Sequence, residues 1–385
     1  MFGSMANILV SLIGDQTAPN IFIIKDERFR HIDRHVFITT EQMEARGRLD
    51  HLLAATGIPE SNYQKVLVSA EDIEHVRGQL NALSLDPQDR YYLNLTSGTK
   101  VMSIGLFHYF MQSGLDVQIF YLPFRKNAYR QLFPDQASGA YELSYRIDLN
   151  EYLISYGIQK EENQESNWLG PPALTQRLLD GYLKGALIQG QSIWHWAGAI
   201  RKKFNAKDAV KLSNDETAVL EVLGLNPKNT AERFAQLRYF IGGWLEQWAL
   251  DQIRTELDLP EAASALGLKI RPQRIRMDRH GDNEFDVMFI YRNTLFLLEC
   301  KTGLGGEYQR ARRLFDQSLY RLAALRLEFG MNVYTGLLNL GTEFRDRKGR
   351  IKPAFRSRAE LLKVQIIDRV DLQKGSAYWV GKLVR

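Results

Sequence analysis

Glu284, Asp286, Glu299 and Lys301 gather four charged groups within one short, strongly apolar stretch, EFDVMFIYRNTLFLLECK. Two runs, Glu284–Tyr291 and Thr294–Lys301, flank Arg292 and Asn293, which is the pattern of a β-hairpin. A two-residue turn places Asp286 opposite Glu299 and Glu284 opposite Lys301. Side chains alternate faces along a strand, so these four share one face. Phe285, Val287, Phe289, Phe296, Leu298 and Cys300 then point the other way, toward a core. Like charges directly opposite each other are destabilising. Two facing carboxylates therefore call for a cation, and a hard divalent ion such as Mg²⁺ or Mn²⁺ prefers oxygen ligands. Asp286, Glu299 and the backbone carbonyl of Cys300 could supply three. The metal would polarise a phosphoryl oxygen and lower the pKa of a bound water. Lys301 could orient that water, and Glu284 or Glu246 could complete the shell. The plainer alternative is a set of ion pairs, Glu284 with Lys301 and Asp286 with a nearby arginine. It leaves Asp286 against Glu299 unexplained.

The elements that must position these residues follow from the pattern around them. A long helix is signalled from Asn229 or Thr230, with Phe234, Leu237, Ile241, Trp244, Leu245 and Trp248 on its apolar stripe. Glu246 lies at the stripe's edge, a place where boundary carboxylates are common. A strand over Leu268–Met277 leads into the hairpin, with Arg271, Arg274, Arg276 and Arg279 clustered before it. After Lys301 a helix runs from about Glu307 to Phe329, burying Ala311, Leu314, Phe315, Leu319, Leu322 and Leu325. Arg310, Arg313, Gln317 and Arg321 lie off that stripe, either solvated or tracking a phosphate backbone. Met331–Leu340 and Val364–Asp368 read as strands, and Glu343–Arg358 as a basic loop.

The first part of the chain alternates strands with helices. Ile8–Ile13, His35–Thr40, Gln64–Ser69, Arg90–Leu95 and Val117–Leu122 read as strands, and Glu41–Thr56, Ala70–Leu83 and Thr99–Ser113 as helices. That order is the signature of a largely parallel sheet, which takes ligands at the carboxyl ends of its strands. Two loops occupy such ends: Gly14, Asp15 and Gln16 continuing to Pro19, and Thr96, Ser97, Gly98, Thr99 and Lys100. The second joins a strand to a helix N-terminus, where free N–H groups and the helix dipole favour an anion. Lys100 in the first turn opposes the dipole unless it meets a negative ligand. A capped turn with Thr99 as N-cap explains the same residues without a ligand. Neither a P-loop nor a GxGxxG fingerprint is present.

Between these parts, a polar run at Lys160–Asn167 and Gly170-Pro171-Pro172 read as a linker, followed by a small helical region to about 229 in which Trp194, His195 and Trp196 are assigned to packing. The division expected is 1–150, 151–229 and 230–385. The whole chain of 385 residues has 45% apolar and 25% charged residues, ordinary for a globular protein of two or three domains. Its single cysteine excludes an intrachain disulfide and a cysteine-rich metal site. With no apolar run of membrane-spanning length and no secretory leader pattern, the expected location is cytoplasmic, away from the membrane. Met1–Met5 are set aside as an extension. Residues 236–385 hold 26 Lys and Arg against 18 Asp and Glu, whereas 1–235 hold 24 against 27. The basic surplus accompanies the hairpin and favours an acidic partner, nucleic acid foremost.

The residues Asp286, Glu299 and Lys301, with Glu246 as an upstream helical acid, resemble the D-x(n)-E-x-K motif of the PD-(D/E)xK nucleases. Leu95–Met102 is similar to the T-G-G-T-K-x-M signature of CARF domains, with Ser97 replacing its first glycine. Together the halves resemble the CRISPR-ancillary nucleases that join a CARF sensor to a PD-(D/E)xK domain. The resemblance implies an α/β chain with a Rossmann-like N-terminal domain and a restriction-endonuclease-like C-terminal domain. It implies a homodimer that shares cyclic tetra-adenylate across its sensors. It further implies metal-dependent cleavage of single-stranded DNA and RNA and nicking of duplex DNA. A non-catalytic, nucleotide-sensing regulator that binds nucleic acid is the alternative; a metabolic enzyme is disfavoured by the missing nucleotide fingerprints.

Overall fold

The computed structural model describes residues 5–123, 126–134, 140–161, 168–205, 211–272, 284–303, 308–341 and 344–385. Arg274, Arg276 and Arg279, most of the polar run 160–167, and the side chain of Arg310 lie outside the described residues.

Two sheets carry the chain. The first has β1 (Asn7–Leu12), β2 (Arg34–Thr39), β3 (Tyr63–Leu67), β4 (Arg90–Asn94), β5 (Asp116–Tyr121), β6 (Ala128–Phe133) and β7 (Tyr141–Glu142), in the order β3-β2-β1-β4-β5-β6-β7. Strands β1 to β5 are parallel, as the strand–helix alternation requires, while β6 and β7 add an antiparallel edge. The order reverses between β1 and β4, so the two candidate loops flank the topological switch point. The helix expected over 41–56 is two, Glu41–Ala45 and Arg48–Thr56, because Gly47 turns left-handed at φ 61°.

The second sheet is built from β8 (Ile158–Lys160), β11 (Ser264–Pro272), β12 (Glu284–Tyr291), β13 (Thr294–Lys301), β14 (Val333–Asn339) and β15 (Val364–Asp368), in the order β15-β14-β13-β12-β11-β8. A small hairpin, β9 (Leu187–Ile188) and β10 (Gln191–Ser192), stands apart. Both faces of the second sheet are covered. On one, Val287, Phe289, Phe296, Leu298 and Cys300 pack with the helices of 172–257 and with Trp379. On the other, Met288, Leu295, Leu297 and Leu337 pack with the helix Tyr308–Arg326 and share one cluster with Leu9, Phe37, Tyr92 and Phe120 of the first sheet. One apolar core thus runs through both halves.

Several local expectations change. Pro172 opens the helix Pro172–Lys184, and Gly170 exchanges two 3.0 Å hydrogen bonds with the Gln247 side chain. That segment is therefore pinned against the helix Trp244–Leu257. Trp196 is buried, its Nε1 donating to the Ile188 carbonyl at 2.9 Å, in keeping with the packing reading. Asn229 caps the helix Thr230–Arg238, but a π-helical turn over Tyr239–Gly243 separates it from Trp244–Leu257. The turn immediately precedes Glu246 and resets which face that residue presents; such insertions recur at functional sites. The expected basic loop, 343–358, instead runs into the helix Pro353–Leu362, with proline at its first turn. Among the described residues no helix is long and apolar enough to cross a membrane.

Candidate active site

β12 and β13 pair as a two-residue turn demands, from Tyr291↔Thr294 to Val287↔Leu298. Arg292 and Asn293 adopt φ of 48° and 59°, the left-handed pair of a type I′ turn. Then the ladder stops. Asp286 turns its carboxylate between the strands, and Oδ2 accepts from the Cys300 N–H at 2.7 Å, where a ladder carbonyl would have been. Side-chain alternation slips at the same place. Phe285 packs against Phe329 on the face of Met288 and Leu297, opposite to Val287. Two expectations are corrected here: Phe285 does not share the face of Val287, and Asp286 and Glu299 are not a ladder pair. They approach because the ladder opens.

Lys301 joins the acids. Its Nζ lies 2.6 Å from Glu299 Oε1 and 3.5 Å from Asp286 Oδ2. The other oxygen of Glu299 accepts from Arg321 at 2.9 Å. Glu284 pairs with Arg238 at 2.6 Å, not with Lys301. Glu246 approaches from the helix Trp244–Leu257, near enough for the charges of Asp286 and Lys301 to act on it.

Electrostatics follow from burial. Glu299 is 3% exposed; burial raises its pKa, the charge of Asp286 adds to this, and Lys301 and Arg321 offset part of it. Burial and then Asp286 push Glu246 well above the ordinary carboxylate range. For Lys301, burial alone would lower the pKa, but Asp286 and Glu299 overcome it and hold the ammonium charged. Burial pushes the Cys300 thiol well up, which leaves that residue its backbone as the useful donor. The N–H and C=O of one strand residue face the same neighbour. The Cys300 carbonyl accordingly points toward Asp286, while the Lys301 carbonyl accepts from Leu340 N on the far side.

Among the described residues, no three side chains of His, Cys, Asp or Glu form a metal cluster by themselves. What converges is two carboxylates and a carbonyl, with Glu246 behind them. This all-oxygen set suits Mg²⁺ or Mn²⁺, and the acids already share one cation, the Lys301 ammonium. The residues fit such an ion. Arg238 and Arg321 reach these acids; the sequence points to Arg321 only as solvated or phosphate-tracking and does not point to Arg238, because nothing in helical spacing tells a solvated arginine from one that reaches back to a strand.

The second candidate site lies at the β1/β4 switch point. A Cβ on Gly14 would stand 2.6 Å from Gly98 N, so the two loops touch through glycine backbone. Gly98 has φ of 80°. The loop hydroxyls are engaged within the protein. Thr96 bonds to Asn94, Ser97 donates to the Gln16 carbonyl at 3.1 Å, and Thr99 caps the helix Lys100–Gln112 while donating to Ala70 O. Ser97 thus staples one loop to the other. Asp15 pairs with Arg46 and Arg48. Lys100 is exposed at the helix start. Gln16 faces away: Oε1 accepts from Met331 N at 2.8 Å and from the Tyr156 hydroxyl at 3.3 Å. A cavity of about 480 Å³ lies elsewhere, at the amino ends of β14 and β15, and holds none of these residues.

Two family models match the chain. One, described as the Card1 CARF domain, covers residues 8–152, and the other, a Card1-like endonuclease domain, covers 232–365. Among solved structures, Can2 from Sulfobacillus thermosulfidooxidans in complex with cyclic tetra-adenylate superposes with a TM-score of 0.71 at 16% identity, over 97% of this chain and 99% of that one. VC1899 from Vibrio cholerae gives 0.71 at 17% identity, over 98% of each chain. A type III CRISPR defence DNA nuclease activated by cyclic oligoadenylate gives 0.51 at 17% identity, over 94% of this chain and 52% of that one. At these identities the likeness is one of fold. A comparison with curated protein sequences gave no match.

Proposed function

The chain belongs to the family that joins a CARF domain to a Card1-like endonuclease domain, and from that premise we propose that it is a divalent-metal-dependent endonuclease switched on by cyclic tetra-adenylate. The observation that supports this best is the convergence of Asp286 and Glu299 on the Lys301 ammonium where β12 and β13 part. In this reading residues 1–150 sense the activator and 230–385 cut, with 151–229 walling the second body. Asp286, Glu299 and the Cys300 carbonyl hold Mn²⁺ or Mg²⁺, with Glu246 behind. The bound ion supplies Lewis-acid activation of the phosphodiester and of water. Lys301 orients the attacking water and offsets charge that develops on the phosphate. Water attack breaks the P–O bond directly, with no covalent enzyme intermediate. The substrates are single-stranded DNA and RNA, with duplex DNA nicked, in the cytoplasm.

Gly14, Gly98 and Lys100 offer the activator backbone N–H groups and a cation at a helix start. Ile104, Phe107 and Met111 form an exposed apolar stripe on the helix Lys100–Gln112. Burying that stripe against a second copy supports a homodimer that shares the ligand.

The test is cleavage of labelled single-stranded DNA and RNA with Mn²⁺, with and without cyclic tetra-adenylate, beside Glu299→Ala and Lys301→Ala. Cleavage is expected only with both ligand and metal, and in neither variant. Equal cutting by wild type and Glu299→Ala would sink the site assignment. Tight nucleic-acid binding with no cutting would favour the regulator, a reading helped by the fact that Lys301 and Arg321 already neutralise Glu299.

A further inference from the structure

The helix Tyr308–Arg326 sends Ala311, Phe315, Leu319 and Leu322 into the core. Arg321 lies off that stripe with 40% of its side chain exposed. An arginine so placed would ordinarily reach for water or phosphate. Instead its Nη2 donates to the Glu284 carbonyl at 2.6 Å and to Glu299 Oε2 at 2.9 Å. The two acceptors belong to different strands, β12 and β13, just past Val287↔Leu298, where regular pairing ends. One nitrogen thereby spans the opening that Asp286 creates. With Oε2 held, Glu299 cannot rotate about its last bond, and Oε1 stays aimed at the cation it shares with Asp286.

We propose that Arg321 is a positioning residue of the metal centre: by bridging Glu299 and the Glu284 carbonyl across the opened strands, it holds the Glu299 carboxylate for a divalent cation. It acts through Glu299 and not on the nucleic-acid backbone. The inference rests on the metal-dependent reading above. Charge alone argues the opposite direction, since deleting a guanidinium would leave the acids freer to attract a divalent ion. Because Arg321 also lowers the Glu299 pKa, the affinities are compared across rising pH, and a loss that persists where the proton no longer competes reports lost anchoring.

The experiment titrates the full-length protein with Mn²⁺ by calorimetry, without nucleic acid, for wild type, Arg321→Met and Arg321→Lys. Methionine keeps the apolar stem, and lysine keeps charge and a donor. Arg321→Met is expected to bind Mn²⁺ ~10–100-fold more weakly, the span found when partners of metal ligands are removed, with Arg321→Lys in between. At saturating Mn²⁺ and cyclic tetra-adenylate, the KM for labelled single-stranded DNA and its salt dependence should not move. Mn²⁺ binding by Arg321→Met as tight as wild type, or tighter, overturns the proposal. So does intact metal affinity with a raised KM and a shallower salt slope, which would make Arg321 a phosphate contact. If circular dichroism shows Arg321→Met unfolded, Arg321→Lys decides: weakened Mn²⁺ binding supports the proposal and unchanged binding overturns it. Wild type that binds no Mn²⁺ removes the metal reading itself, and the proposal with it.

Discussion

Glu246 and Glu299 are both held toward their protonated forms, first by burial and then by the charge of Asp286. A carboxyl whose folded pKa is raised binds its proton more tightly folded than unfolded. Its contribution to stability is then full below the unfolded value, near 4.5, and is lost as pH rises through the folded value. Without metal, the protein should carry a penalty at Glu246 at alkaline pH. Glu246→Gln is expected to raise the Tm of the metal-free protein at pH 8 by about 2–4 °C, the effect of ~1 kcal/mol in a domain of this size. The difference should shrink toward pH 5, because burial and Asp286 favour the protonated form of Glu246. Thermal melts in chelator at both pH values check this, and a lower Tm at pH 8 would refute it. The same signs govern activity. Cleavage should rise with pH through the range above the ordinary carboxylate value, and its acid limb should move to lower pH as Mn²⁺ is increased, because proton and ion compete for the same oxygens. An acid limb indifferent to Mn²⁺ concentration would separate these carboxyls from the metal.

At the scale of elements, the switch-point loops make the sharpest demand on sequence. Gly14 is needed because any Cβ would run into the backbone nitrogen of Gly98 at 2.6 Å. Gly14→Ala should push the loops apart and weaken cyclic tetra-adenylate binding at least ~10-fold, about 1.4 kcal/mol, as read by calorimetry; unaltered affinity would show that the loops do not form the ligand site. The parallel strands β1 to β5 were legible because apolar runs alternate with amphipathic helices at short spacing, and the switch point followed from their order. The hairpin was legible down to Val287↔Leu298, since Arg292-Asn293 set its turn. Its opening was not. Alternation assumes a continuous ladder, and a carboxylate standing in for a carbonyl at Asp286 leaves no mark in a hydropathy pattern. A sheet covered on both faces also blurs the contrast that separates Met288 and Leu297 from Val287 and Leu298. The start of the helix Pro353–Leu362, up to Arg358, reads as loop in the sequence because its charges face solvent and only Phe355 and Ala359 of the helix are buried.

Across the whole molecule, the two candidate sites are linked by hydrogen bonds as well as by a shared core. Gln16 reaches from the Gly14–Gln16 loop to accept from Met331 N, two residues before β14, and β14 pairs along its length with the strand that carries Glu299 and Lys301. The same amino end of that strand is held a second time. Asn293, in the hairpin turn, accepts from Ile147 N at 2.9 Å and donates to Tyr145 O at 2.9 Å. A ligand that displaces the Gly14–Gln16 loop therefore acts on the amino end of β13, opposite to Glu299 and Lys301, and it can act at a distance only if it favours one of two arrangements of these contacts. Gly330 is the place to break the link without replacing a residue of either site. Its φ is 88°, and a Cβ there would come within 2.5 Å of the Tyr156 hydroxyl and 2.7 Å of Gln16 Oε1. Gly330→Ala should still bind cyclic tetra-adenylate, yet its cleavage in the presence of the activator should fall by ~5–150-fold, the reach of a coupling of ~1–3 kcal/mol. The substitution also strains the backbone by ~1–3 kcal/mol, so Tyr156→Phe, which removes one bond to Gln16 without strain, should show the same loss in smaller degree. Binding titrations and cleavage rates, each with and without activator, separate the cases: undiminished activation in both variants would mean that the signal does not pass between Gln16 and β14.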